Sequence, residues 1–84
     1  MKKLFLFSGL GADKRVFDFL DFGKHLLHHI EWVKPLPDDT LPSYARRLLP
    51  QITEENPTLV GVSFGGMIAL EISKLIRVQK VILI

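Results

Sequence analysis

The chain has 84 residues, 48% of them hydrophobic, and its eleven basic and nine acidic side chains leave a formal charge of +2. Those charges are scattered apart from Lys2-Lys3 and Arg46-Arg47, so there is no basic stripe to track phosphates and nucleic acid is not an expected partner. No cysteine is present, which excludes a disulfide framework and a thiolate metal site, and no stretch approaches the ~20 apolar residues that span a bilayer, so stable membrane association is not expected.

A chain this short buries only about 60% of the surface its unfolded form exposes. With so little interior to fill, the apolar content implies a single domain over residues 1–84 that belongs to something larger or hides apolar surface against a partner.

Lys3 to Phe7 is a short continuous apolar run, the pattern of a strand buried on both faces in a parallel sheet. Preceded by Met1-Lys2-Lys3, it has some of the look of a secretory leader. Ser8 and Gly9 interrupt it too early for that, and a cut after Ala12 would place bulky Leu10 where a small residue is needed. A strand and a cytoplasmic location are expected instead.

Ser8-Gly9-Leu10-Gly11-Ala12 follows as a glycine loop. Asp13 can cap a short helix carrying Val16, Phe17 and Leu20, which Gly23 ends. Ile30 to Val33 read as a second, weaker strand closed by Pro35-Leu36-Pro37. Asp38-Asp39-Thr40 then prepares a helix in which Leu41, Tyr44, Ala45, Leu48, Leu49 and Ile52 form one apolar stripe. Pro42 falls in its first turn, where a missing N–H does no harm, and Pro50 should kink or end it. Thr58 to Val62 is a β-branched run that turns at Ser63. Gly65 to Ile76 form a helix bearing Ile68, Ala69, Ile72, Leu75 and Ile76, and Val81 to Ile84 a last strand.

Strands and helices thus alternate, which predicts an α/β fold: a parallel sheet of about four strands flanked by helices on both faces. The first and last helices are expected on one face and the Leu41 helix on the other. There is no Gly-Lys-Ser/Thr step for a P-loop and no G-x-G-x-x-G for a dinucleotide, and no cofactor or metal is called for.

The residues with chemical promise lie at the third strand. Gly61-Val62-Ser63-Phe64-Gly65 fits G-x-S-x-G, in which a serine sits on a tight strand-to-helix turn that lifts its hydroxyl clear of the sheet. Residues two before and two after such a serine approach each other closely, and Gly61 and Gly65 carry no side chain to prevent it. Gly66 and Ala69 let the following helix pack near neighbouring strands. The bland alternative is a serine in an ordinary βα turn that caps the helix. The motif's place, between a β run and an amphipathic helix, favours the first reading.

Taken with the loop after the first strand, these residues resemble the α/β-hydrolase family over the whole chain, as its N-terminal part through the strand that follows the nucleophile helix. The resemblance implies a sheet with spatial order second, first, third, fourth strand, all parallel. It implies Ser63 as nucleophile, positive φ at that residue, and an ester, thioester or similar acyl compound as the small-molecule substrate. The oxyanion donors would be the backbone N–H groups of Phe64 and of Leu10, since Ser8-Gly9-Leu10-Gly11 is similar to the family's H-G-x-G loop. Ser8 stands where the usual histidine would be.

The family order is Ser, then Asp or Glu, then His. After Ser63 the only acid is Glu71, inside the helix, and no histidine follows. His25, His28 and His29 precede the motif and suit a surface or strand-edge role. Gly23 and the β-like run from Ile30 argue against the helix that a His25–His29 metal pair would need. The 84 residues alone are therefore expected to be inactive, with the bare apolar strand Val81–Ile84 inviting self-association. A non-catalytic, partner-dependent module that keeps the turn only as architecture is the alternative. An open reading frame beyond Ile84 that supplies a strand, an acid and a late histidine would favour the enzyme.

Overall fold

The computed structural model describes residues 3–9, 23 and 25–84. The helix expected from Asp13 lies outside the described residues, as do Leu10 and Gly11. Gly23, expected to end that helix, stands at φ +68°.

Four strands form one sheet: β1 (Lys3–Phe7), β2 (Leu26–His29), β3 (Thr58–Gly61) and β4 (Lys80–Leu83). Their order is β2-β1-β3-β4 and every pairing is parallel; the alternation of elements predicts the pairing, and the family resemblance implies the order. The two central strands are the apolar ones, and residues on both of their faces are buried. Phe5, Phe7 and Leu59 point to one face, and Leu4, Leu6 and Val60 to the other. All six are buried, which follows from the two-residue period of a strand.

Helix α1 (Leu41–Leu48) begins at Thr40. Its Oγ1 accepts a hydrogen bond from the Ser43 N–H at 3.2 Å, while the Thr40 N–H donates to Ser43 Oγ at 2.8 Å. This capping box satisfies two groups that a helix end otherwise leaves open. The helix stops earlier than its apolar stripe: the Leu49 N–H bonds to Arg46 O, and a 3₁₀ turn, Leu49–Gln51, carries Pro50. Proline has no N–H to continue the α-helical ladder. Helix α2 (Phe64–Leu75) buries Ile68, Ala69 and Ile72.

Two expectations need correction. The second strand is Leu26–His29 rather than Ile30–Val33. The Ile30 N–H still bonds to Leu6 O at 2.9 Å, but the chain then leaves the ladder. Ile30 is buried, and Trp32 and Val33 pack against the cluster under α1 and α2, so those apolar letters serve packing over the end of the sheet.

The second correction concerns the faces. Helices α1 and α2 share one face, with Ala45, Leu48, Ile68, Ala69 and Ile72 in a single core cluster. The reason is directional. The path from β2 to β3 and the path from β3 to β4 both move the same way across the sheet, and right-handed crossovers in one direction place their helices on one side. Only the β1-to-β2 path runs the other way.

Candidate active site

The turn between β3 and α2 is held by backbone contacts that leave no room for side chains. Val62 N–H bonds to Phe7 O at 3.0 Å, which carries the β1–β3 ladder one step past the strand ends. A Cβ on Gly61 would come within 2.5 Å of Gly66 Cα and 2.7 Å of the Gly65 carbonyl carbon. One on Gly65 would overlap the Phe7 carbonyl oxygen and come within 2.5 Å of the Ser8 oxygen. Both glycines are required by close approach, and Gly65 is pressed against the end of β1 more than against its motif partner. Gly66 has slightly more room, 3.1 Å from a Leu83 methyl.

At the apex, Ser63 has φ 54° and ψ −122°. This meets the expectation of a positive φ and lies in none of the main regions open to an L-residue. The side chain is exposed and makes no capping hydrogen bond although it occupies the N-cap position of α2. An ordinary capping serine has extended angles and bonds an N–H of the first turn, so the plain helix-cap reading fails on both counts. Gly65 N–H bonds instead to Val62 O, and Gly66 N–H to Ser63 O, each at 2.9 Å. Among the described residues no acceptor meets the Phe64 N–H, which leaves it available at the positive end of the α2 dipole.

The loop after β1 runs beside this apex. A Cβ on Gly9 would stand 3.6 Å from Ser63 Cβ and 3.6 Å from Val62 O. Ser8 is buried, and its Oγ accepts a hydrogen bond from Trp32 Nε1–H at 3.2 Å. Trp32 is ringed by aromatic groups: Phe64 at 5.6 Å, Tyr44 at 6.1 Å in a stacked arrangement, and Phe7 at 6.5 Å. Tyr44 is fixed in turn, its hydroxyl donating to Val33 O at 2.6 Å. Burial pushes the Tyr44 phenol above its usual pKa, against the lowering effect of that bond, so it stays a protonated donor.

Beside Phe64 is a hollow of about 330 Å³ walled by Pro35, Leu41 and Tyr44, with Asp39 and Thr40 at its edge. A larger one, of about 420 Å³, lies at the opposite end of β3 among Leu49, Pro57, Ile76 and Arg77. No serine, threonine or cysteine lines it.

The structure therefore brings Ser63, Phe64, Gly61, Gly65 and Gly66 together with Ser8 and Gly9; Leu10 falls outside the described residues. Glu71 faces away from this role, paired with Lys74 at 3.0 Å. His25 is exposed ahead of β2, while His28 and His29 lie on that edge strand, with His28 packed 5.2 Å from the Phe5 ring. Among the described residues no cluster of three or more candidate metal ligands occurs, and no helix is long and apolar enough to cross a membrane. Arg47 is not a purely solvated side chain: it pairs with Asp39 and lies over the Tyr44 ring at 5.3 Å.

Sequence reasoning missed Trp32. Its one signal was that it is the single tryptophan of the chain, inside the run Ile30 to Val33 that was expected to form the second strand. No protein-family model matches this chain, and a search of curated proteins returned no match.

Proposed function

We propose that the chain forms the nucleophile-bearing part of a serine hydrolase of the α/β-hydrolase type that cleaves an ester, thioester or similar acyl substrate. The observation that carries the reading is the state of Ser63: held at φ 54°, exposed, and uncommitted as a helix cap. Backbone strain at an L-residue costs of order 1–3 kcal/mol and persists where the surroundings over-determine it. Here those surroundings are the contacts of Gly61 and Gly65.

In this proposal Ser63 Oγ attacks the acyl carbonyl as a general base takes its proton. The Phe64 N–H, with the Leu10 N–H as second donor, receives the developing oxyanion. The carbonyl then re-forms, the protonated alcohol or thiol leaves, and water hydrolyses the acyl-serine by the same route. Each oxyanion donor of this kind contributes about 2.7–4 kcal/mol to barrier lowering. The apolar hollow beside Phe64 suits an apolar substituent of the ester. No histidine follows Ser63 in this sequence and the one later acid, Glu71, pairs with Lys74, so the reading requires a base and an acid supplied from elsewhere. Helices on both faces of the sheet and a cytoplasmic setting belong to the same proposal.

The test uses the intact protein. Turnover of p-nitrophenyl acetate should fall at least a thousandfold in Ser63→Ala, and a fluorophosphonate should add its mass to Ser63 alone. Ser63→Ala protein with unchanged turnover would end the proposal.

A further inference from the structure

We propose that the hollow beside Phe64 is the acyl site, shaped for an unsubstituted hydrocarbon chain of about six to eight carbons, and that Leu41 sets the chain length it takes. The inference rests on the Ser63 hydrolase reading and names the acyl group for it.

Position is the first argument. Phe64 belongs to both places: its N–H meets no acceptor among the described residues, and the same residue walls the hollow. Facing it are Pro35, Leu41 and Tyr44, from the first turn of α1 and the chain before it. All four strands are parallel, so α1 and α2, which follow β2 and β3, begin at one end of the sheet. Open α/β sheets bind their ligands beyond that end. A carbonyl carbon bonded to Ser63 Oγ, with its oxygen on the Phe64 N–H, has the hollow beside it on the Phe64 side.

The second argument is chemical. The polar side chains around the hollow already have partners. The Tyr44 hydroxyl donates to Val33 O at 2.6 Å, and Thr40 Oγ1 accepts from Ser43 N–H at 3.2 Å. Asp39 accepts from Leu36 N–H and from Ser43 Oγ, each at 2.8 Å, and pairs with Arg47. Pro35 has no N–H to offer. A hydroxyl on the bound chain would give up water for no new bond, whereas each methylene gains by leaving water.

Size and occupant follow. An apolar cavity of about 150 Å³ holds a six-carbon ring, so a hollow of about 330 Å³ that opens to solvent suits a chain of about six to eight carbons. The occupant is the acyl group rather than the alcohol, because the acyl group stays on Ser63 through both half-reactions and the alcohol leaves after the first. Among the walls, Tyr44 is buried and fixed by its bond to Val33, while Leu41 is half-buried at the helix start. The size of the Leu41 side chain therefore sets the room available.

The test measures kcat/KM for p-nitrophenyl esters in the intact protein. From acetate to hexanoate the value should rise about twofold to fourfold for each added methylene, and it should fall again by the dodecanoate. The 6-hydroxyhexanoate ester should be cleaved at least about tenfold less efficiently than the hexanoate. Leu41→Trp should lower the hexanoate-to-acetate ratio about tenfold or more, and Leu41→Ala should move the optimum to longer chains. Acetates of alcohols from ethanol to octanol should show no comparable rise. A flat acyl series, a tolerated hydroxyl, a ratio indifferent to both Leu41 variants, or a rise confined to the alcohol series would overturn the inference and leave the hydrolase standing. The wild-type series decides the matter even where a Leu41 variant folds poorly. Turnover that survives Ser63→Ala, or no turnover of any ester, would remove the hydrolase reading and this inference with it.

Discussion

At the start of α1, Thr40 has φ −107° and ψ 172°, its hydroxyl accepts from Ser43 N–H, and Ser43 answers with its own hydroxyl. At the start of α2, Ser63 has φ 54° and ψ −122° and its hydroxyl bonds to nothing in the first turn. Both residues are small hydroxyl side chains at N-cap positions. In the first the side chain stabilises its helix, and in the second backbone bonds and packing hold the helix start while the side chain stays outside. The difference lies in what surrounds each turn. The α1 start is an exposed loop free to relax into the extended cap geometry. The α2 start is clamped between Phe7, Ser8 and Gly61 by backbone contacts that only glycine permits. A hydroxyl spared from structural use at the expense of strain is what chemistry requires, and a capped hydroxyl is not.

The comparison breaks most violently at the clamp. Gly65→Ala drives a methyl into the Phe7 carbonyl oxygen, and that backbone belongs to a central strand with nowhere to move. A loss of roughly 4 kcal/mol is expected, at the upper end of single substitutions. The urea midpoint of unfolding should fall with it. If the midpoint is unchanged, the clamp does not exist and the strain at Ser63 needs another cause.

Next come the two caps, where substitutions should act with opposite signs. Ser63→Gly removes the conformational penalty of a positive φ and deletes a side chain with no structural bond, so stability should rise by about 1 kcal/mol as activity disappears. Thr40→Ala removes the bond that its Oγ1 accepts from Ser43 N–H while the backbone bond to Ser43 Oγ remains, and stability should fall by about 1 kcal/mol. Thermal unfolding of the pair in parallel decides the matter. Changes of the same sign would show that Ser63 is an ordinary cap after all.

Much of this was written in the local pattern. Parallel pairing follows from the alternating elements and from the apolar runs of β1 and β3, whereas the strand order was what the resemblance to the α/β-hydrolase family implied. The positive φ at Ser63 was likewise what the resemblance carried by Gly61 to Gly65 implied. Other features depend on distant partners. The apolar run Ile30–Val33 has the look of a strand, yet tertiary packing takes it over the sheet end, and the ladder recruits the less apolar Leu26–His29 instead. The placement of α1 and α2 on one face is contained in the strand order once the direction of each crossover is followed. The Trp32–Ser8 bond joins residues 24 apart, and no local spacing signals it. Nor does any local pattern show that Arg47 reaches back from α1 to Asp39.

That last pair supplies the smallest expected effect and the finest test of the α1 start. Asp39 accepts from Leu36 N–H at 2.8 Å through one carboxylate oxygen, which also meets Arg47, and from Ser43 Oγ at 2.8 Å through the other. The Leu36 N–H holds its pKa below the ordinary value of 3.8, partial burial works in the other direction, and Arg47 and Ser43 add to the lowering. A carboxylate whose folded pKa lies below its unfolded one binds protons more readily when unfolded. Its stabilising contribution is therefore complete above the unfolded pKa and is lost as pH falls through the folded one. Unfolding free energy should decline as pH is lowered below about 4, and part of that decline should vanish in Asp39→Asn. The same variant at pH 7 should lower stability slightly, since the amide still accepts one bond but no longer attracts Arg47. The pH dependence of unfolding in Asp39→Asn thus tests the α1 start by itself. A decline below about pH 4 as steep as that of wild type would show that this carboxylate does not hold the cap.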